Sequence, residues 1–345
     1  YVFGSYIASH MAYRATFSKL SSVSVARRAA IVVGVTNKNS IGYSIAKSFL
    51  DPLFFRPGDP SAKIVPRSIF DDVVVTYKPS SPCKDTDRVG RSVQRLTDRW
   101  NESNDSTNGS GRMICAPLDL TCDRSIESLF TSTLPSLLSS PSSSSSGYSG
   151  LHAVVHSAAY ASPSCMKKET STPLLDTSSD DFLTAHHASS YSFIALARAS
   201  LPHLLMVSEN DDDYDNNSWS PSITGLTYLG STRAVPPYGV MGPAKASLEA
   251  VVRGLAAELG RPPNGVRVNA VSSGPIATVS ARGGIPNFYR MRDVARERNM
   301  TGRDVTAQEV GGVVRSLADG SVGGAGRGVT GQVWFVDGGY SSTGI

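Results

Sequence analysis

Ala29-Ala-Ile-Val-Val-Gly34-Val-Thr-Asn-Lys-Asn-Ser40-Ile41-Gly42 sets a β-branched run against a polar turn bounded by glycines, and the residues after it take up helical spacing. Residues 29–35 read as a first strand. Residues 40–50 then place Ile41, Ile45, Phe49 and Leu50 on one helical face. The same alternation runs outward along the chain. Residues 73–77 form a second strand, and residues 85–100 repeat the helical pattern with Val89, Val93, Leu96 and Trp100. Further strands are predicted at 113–118, 152–158, 223–229, 266–272 and 332–336, with helices between them. Short apolar strands alternating with amphipathic helices predict an α/β fold: a Rossmann-like, doubly wound sheet of seven parallel strands in a single domain. Ligands of such a sheet bind at the carboxyl ends of its strands.

Bulk composition narrows the function classes. The 345 residues are 40% hydrophobic and 18% charged with a formal charge of +4, which are ordinary globular values. No apolar run reaches the roughly 20 residues of a membrane-spanning helix, so no membrane role is expected. No Lys/Arg run interleaved with aromatics points to nucleic acid. Cys83, Cys115, Cys122 and Cys165 have no C-x-x-C spacing and no nearby His pair, so they read as reduced structural thiols and no metal is expected.

Residues 1–28 lack acidic side chains and set Arg14, Lys19, Arg27 and Arg28 among serines, the character of an organelle transit peptide or a disordered extension. Residues 29–345 are expected to form the folded domain. Polar stretches near 101–111, 139–149 and 209–217 interrupt the rhythm and read as loop insertions.

The turn from Gly34 to Gly42 lies where a dinucleotide pyrophosphate meets unpaired helix N–H groups, with Ser40 and Ile41 at the helix start. Its spacing is not G-x-G-x-x-G, so a plain structural turn stays open for this loop taken alone. Asp119-Leu120 follows the third strand, where a carboxylate can accept from an adenine amino group and the next N–H can donate to the ring; alone, Asp119 is an ordinary cap or turn residue. Lys78 follows the second strand, where a basic side chain accommodates a 2′-phosphate. That keeps NADPH open beside NADH.

The densest signal is Tyr228-Leu-Gly-Ser-Thr-Arg-Ala-Val-Pro-Pro-Tyr238-Gly-Val-Met-Gly-Pro-Ala-Lys245-Ala-Ser-Leu-Glu249. Seven residues are nearly two helical turns, about 10 Å of rise, so Tyr238 and Lys245 would share one face of a helix and grip opposite ends of a ligand. Pro243 fits only a first turn, so the helix should begin near 239–242 and leave Tyr238 at the pocket mouth. A tyrosine hydroxyl can stabilise a developing oxyanion, and an ammonium can hold ribose hydroxyls and lower the tyrosine pKa.

These stretches, together with Ser189-Ser-Tyr-Ser-Phe193, Val266-Arg-Val-Asn-Ala270, Gly274-Pro-Ile276 and the segment from Thr330 to Gly339, resemble the enoyl-acyl-carrier-protein reductases of bacteria and plastids, a divergent branch of the short-chain dehydrogenase/reductases. The Tyr-x6-Lys spacing is the specific mark; ordinary relatives use Tyr-x3-Lys, and here Gly242 stands four residues after Tyr238.

The resemblance implies a function: hydride transfer from NADH, or NADPH, to the β-carbon of an enoyl thioester carried on acyl-carrier protein. Tyr238 would hydrogen-bond the thioester carbonyl, Lys245 the nicotinamide ribose, and Tyr228 would line the acyl site. Gly34, Ser40, Ile41, Ser157, Ala159, Ile276 and Thr278 would lie along the cofactor. Ala159 stands where the family usually has glycine, so its methyl is expected to crowd the nicotinamide side.

The resemblance also implies a homotetramer, and a flap over residues 278–299 whose Arg282, Arg290, Arg292, Arg296 and Arg298 suit an acidic carrier protein. His156, His186 and His187 are structural in the matched pattern. Type II fatty-acid synthesis favours a plastid, with a mitochondrion or bacterial cytoplasm as alternatives. Two other functions stay open: a reductase of carbonyl substrates, and a catalytically silent nucleotide-binding or regulatory protein.

Overall fold

The computed structural model describes residues 27–52, 68–81, 86–104, 111–139, 150–166, 174–209, 219–262 and 264–343. Seven strands form one sheet: β1 (Ala29–Val33), β2 (Asp72–Tyr77), β3 (Arg112–Pro117), β4 (Ala153–His156), β5 (Ser222–Thr227), β6 (Arg267–Ser273) and β7 (Val333–Val336). Their spatial order is β3-β2-β1-β4-β5-β6-β7 and every pairing is parallel. The expected seven-stranded doubly wound sheet is therefore observed, with strand ends shifted by up to two residues.

β1 shows why the strands read as unbroken apolar runs. Ala29, Ile31 and Val33 face one core layer with Phe193, Leu196 and Leu248, while Ala30 and Val32 face the other with Ile45, Phe49 and Val310. A strand buried on both faces has no polar alternation to show. Helices α1 (Ile41–Leu50), α2 (Arg88–Ser103) and α10 (Ala307–Ala318) cover one side. The other is covered by α3 (Asp123–Ser128), α4 (Leu134–Leu138), α6 (Ser192–Glu209) and α7 (Met241–Leu259). Between α5 (Ser179–His186) and α6, residues His187–Tyr191 form one π-helical turn.

The polar stretch 101–111 is not all loop. Its first residues complete α2, where Asn101 accepts from the Met113 N–H and donates to the Met113 carbonyl. Residues 105–110, 140–149 and 210–217 of the three polar stretches lie outside the described residues, as do residues 1–26. Arg27 donates to the Asp72 carboxylate together with Arg112, and the Arg28 N–H donates to Asp71. Both arginines thus sit at the amino-terminal edge of the sheet, opposite the ligand end. Among the described residues no helix is long and apolar enough to cross a membrane.

The Val266-Arg-Val-Asn-Ala270 motif proves to be a staple. Arg267, 5% exposed, donates to the carbonyls of Leu317, Gly326 and Ser220 and to the Ser220 hydroxyl. Asn269 donates to the Val329 carbonyl and accepts from the Gln332 N–H, and Val268 donates to the Thr330 hydroxyl. These bonds bring the Thr330 segment back as β7.

Three buried histidines tie stability to pH. Burial holds His152 and His156 down to about 3 and His203 to about 4, from an ordinary 6.5. His152 Nδ1 accepts the Ala29 N–H, a bond that protonation would remove. Each ring is neutral in the fold, whereas the unfolded chain takes up its proton below 6.5. The contribution is therefore full above that pH and is lost as pH falls toward the folded values, by about 1.4 kcal/mol per histidine per pH unit. Urea melts at about pH 7.5 and about pH 5.5 should show the loss, and His203→Phe should shrink it.

Candidate active site

At the carboxyl ends of the strands, where the order reverses between β1 and β4, lies a cavity of about 1390 Å³. It is lined by Gly34, Ser40, Ile41, Lys78, Asp119 and Leu120 at one end, by Ser157, Ala159, Ile276 and Thr278 in the middle, and by Tyr228, Tyr238 and Lys245 at the other. The fold thus brings every one of the candidate residues to one cavity.

Local sequence explains the nucleotide end. Gly34 leaves β1 at φ +94°, and a Cβ there would stand 2.3 Å from the Ser157 carbonyl oxygen, so only glycine lets the two strand ends approach. Ser40 caps α1 by accepting from Tyr43 N–H and donates to the Asn37 carbonyl, and the first turn of α1 holds no acidic residue. That helix start, open to the cavity at Ser40 and Ile41, suits a pyrophosphate.

Asp119 is more engaged than expected. Burial raises its carboxyl, but the Thr121 hydroxyl and amide and the Lys78 ammonium, 3.1 Å away, hold it below its usual value. Lys78 is 63% exposed in its side chain, and so solvated a pair is worth under about 1 kcal/mol, so Lys78 is free to turn toward a ligand. Ala159 is exposed to the cavity and its methyl projects from the loop after β4. Thr278 caps α8 (Val279–Gly284) by accepting from the Ala281 N–H, which leaves its hydroxyl proton for a ligand.

The catalytic end differs from a single helical face. α7 begins at Met241 with Pro243 in its first turn, as expected, but Tyr238 belongs to a separate 3₁₀ turn, Pro236–Tyr238. The Tyr238 ring packs on Tyr228 at 4.8 Å and on the bare α-carbon of Gly230, where a Cβ would stand 2.4 Å from the ring. Tyr238 is thereby buried rather than left at the mouth, 7% exposed.

Burial, with Tyr228 beside it, pushes the Tyr238 phenol well above its ordinary value, so the expected lowering by Lys245 does not occur. Tyr238 is a protonated donor at neutral pH. Its hydroxyl has no protein partner among the described residues, whereas Tyr228 donates to the Met291 sulfur at 3.5 Å. Lys245, 4% exposed, donates to the Leu226 carbonyl at 2.7 Å, and burial draws it down to about 8 against the opposing pull of Glu249.

The flap comprises α8 and α9 (Phe288–Arg298), joined through Asn287 at φ 52°. Ile285 and Met291 pack on the two tyrosines. Arg292 and Arg296 are turned to Asp293 and Asp304, while Arg282, Arg290 and Arg298 are exposed. His156 is fully buried with Nε2 2.8 Å from Ser192 Oγ; His186 stacks on Phe182 and His187 on Tyr191. Among the described residues no three His, Cys, Asp or Glu side chains gather to hold a metal. Sequence reasoning missed Met241 and Met291, which complete the apolar wall with Ile285, because isolated apolar residues carry no spacing signal.

Sheet order, glycine turn and tyrosine–lysine pair define a dinucleotide-dependent reductase of the Rossmann class. The profile described as enoyl-(acyl carrier protein) reductase matches residues 97–341. The chain is 34% identical over 314 residues to the enoyl-[acyl-carrier-protein] reductase [NADH] FabI of Bacillus subtilis, covering 91% of this chain and 95% of that one. It is 30% identical over 316 residues to the namesake of Aquifex aeolicus, covering 92% of each. The Bacillus cereus enoyl-acyl carrier protein reductase solved with NADP+ and indole naphthyridinone superposes with TM-score 0.68 at 31% identity, covering 93% of this chain and 99% of that one. The chain belongs to the enoyl-acyl-carrier-protein reductase family.

Proposed function

We propose that this protein reduces trans-2-enoyl thioesters on acyl-carrier protein, with Tyr238 as the donor to the thioester carbonyl. The observation that carries the assignment is the unpartnered, protonated Tyr238 hydroxyl in a cavity that is also lined by a Lys245 ammonium held on the Leu226 carbonyl. Gly34, Ser40 and Ile41 hold the pyrophosphate, Asp119 and Leu120 the adenine, Ser157, Ala159, Ile276 and Thr278 the nicotinamide half, and Lys245 the ribose. The bound nicotinamide supplies hydride to the β-carbon of the substrate. As charge builds on the thioester oxygen, Tyr238 stabilises it through its hydroxyl, and the dry wall of Met241, Ile285 and Met291 strengthens that bond. Tyr228 lines the acyl site and is freed from Met291 when substrate enters.

The exposed Arg282, Arg290 and Arg298 support docking of an acidic carrier protein against the flap. Trp334 and Phe335, each 44% exposed on the edge strand β7, support a homo-oligomer, read as a tetramer. The acid-free, serine-rich residues 1–28 support a plastid address.

Purified protein should consume NADH or NADPH, followed as loss of reduced-nicotinamide absorbance, when given crotonyl thioester. Dinucleotide binding without turnover on any enoyl thioester would leave a silent binding protein instead. The same assay reads Lys78: Lys78→Glu should weaken NADPH about tenfold while leaving NADH within about twofold, since only the former carries the 2′-phosphate.

A further inference from the structure

Glu249 is buried, 6% exposed, and has no part in the chemistry described so far. It lies four residues after Lys245 on α7, so both side chains leave the same helical face. Leu226 and Thr227, the last two residues of β5, meet this face, and Tyr228 follows them. The Leu226 carbonyl accepts from Lys245 at 2.7 Å, the Thr227 hydroxyl donates to Glu249 Oε1 at 2.7 Å, and Tyr228 enters the acyl site. One helical turn of α7 is thereby pinned twice to one strand end.

We propose that Glu249 is a positioning residue for the reaction: its carboxylate, anchored by Thr227, keeps the Lys245 ammonium charged and seated at the ribose end of the cavity. The role rests on the enoyl reductase reading.

Among the described residues Glu249 is the carboxylate whose charge acts on Lys245. His156 on β4 feels the Lys245 charge but is no carboxylate; Asp337 after β7 acts on Tyr228 and accepts from the Gly339 and Ser341 N–H groups, and Arg253, one turn past Glu249 on α7, is exposed. α5 also packs on α7, but Asp181 is turned to Ser164 and Asp180 is exposed. Arg198 of α6 and Arg233 after β5 are exposed, and Arg267 of β6 sits at the far end of its strand. A lysine so deeply buried loses its proton easily, and burial already draws Lys245 down to about 8 while Glu249 opposes the change. Thr227 holds the carboxylate so that it does not close on the ammonium and draw it off the ligand.

The test is the titration of Lys245 itself, read by NMR on protein carrying 13C at lysine Cε and assigned by the resonance lost in Lys245→Met. Glu249→Gln keeps the shape and can still accept from Thr227, so the fold is expected to survive, and the Lys245 midpoint should fall by about one pH unit. The alkaline limb of kcat/KM for the reduced cofactor should fall with it, while Glu249→Asp should restore much of the midpoint. Thr227→Val, which keeps the charge, should raise KM for the cofactor more than it lowers kcat.

A Lys245 midpoint and pH profile unchanged in Glu249→Gln would overturn the proposal and leave Glu249 as packing. A shifted midpoint in a protein that turns over no enoyl thioester would instead overturn the functional reading and leave the Lys245–Glu249 coupling standing.

Discussion

Tyr238→Phe should lower kcat by about a hundredfold while leaving dinucleotide affinity and the unfolding midpoint nearly unchanged. The substitution deletes one oxygen and nothing else. The ring still packs on Tyr228 and Gly230, and the hydroxyl it loses makes no protein hydrogen bond among the described residues. Stability therefore has little to lose, and a fall confined to kcat marks an interaction made only as charge develops on the substrate. Tyr228→Phe is the internal control: its hydroxyl is spent on Met291, so its effect should be smaller. Single-turnover rates of both variants, beside cofactor titrations, decide the matter; a Tyr238→Phe enzyme within threefold of wild type would move the donor's role to Tyr228.

Replacing Arg267 by Met should cost about 3–5 kcal/mol of unfolding free energy, the largest stability effect expected of a single side chain here. The guanidinium satisfies three backbone carbonyls from two separate segments, with Asp319 lending opposite charge, and burial draws it down to about 10 without neutralising it at ordinary pH. Methionine fills much of the volume but donates nothing, so those carbonyls stay buried and unpaired. Urea unfolding should show the loss. Arg267→Lys should fall between the two, because an ammonium cannot fork to all of them. Since β6 leads into Gly274, Ile276 and Thr278, a weaker cofactor affinity should accompany the lower midpoint.

Much of this architecture was legible because its signals are local. β1 announces itself through five consecutive apolar residues, and the turn at Gly34 through a glycine that the close Ser157 carbonyl requires. Gly34, Ser40, Ile41, Lys78, Asp119 and Leu120 followed from their places at successive strand ends, since a parallel sheet sends all of those ends to one side, whereas Ser157, Ala159, Ile276 and Thr278 rested on the family resemblance. Tyr238 and Lys245 were found by spacing, yet the helical face drawn from that spacing was wrong. The chain leaves a 3₁₀ turn before α7 starts, and that break sinks Tyr238 against Gly230.

What the sequence determined by itself was the order of strands and helices, the glycine at the phosphate turn and the identity of the tyrosine and lysine. These depend on periodicity, on steric demand at one residue, or on chemistry carried by one side chain. Only the tertiary structure decided that Tyr238 keeps its proton, that Lys245 rests on Leu226 and that Asp119 is shared between Thr121 and Lys78. It also decided that Arg267 clasps the end of α10 and the turn beyond it, 50 and 59 residues away in sequence. Proton affinities and buried hydrogen bonds depend on how much water is excluded and on which distant groups replace it, and neither is written in the spacing of residues along a chain.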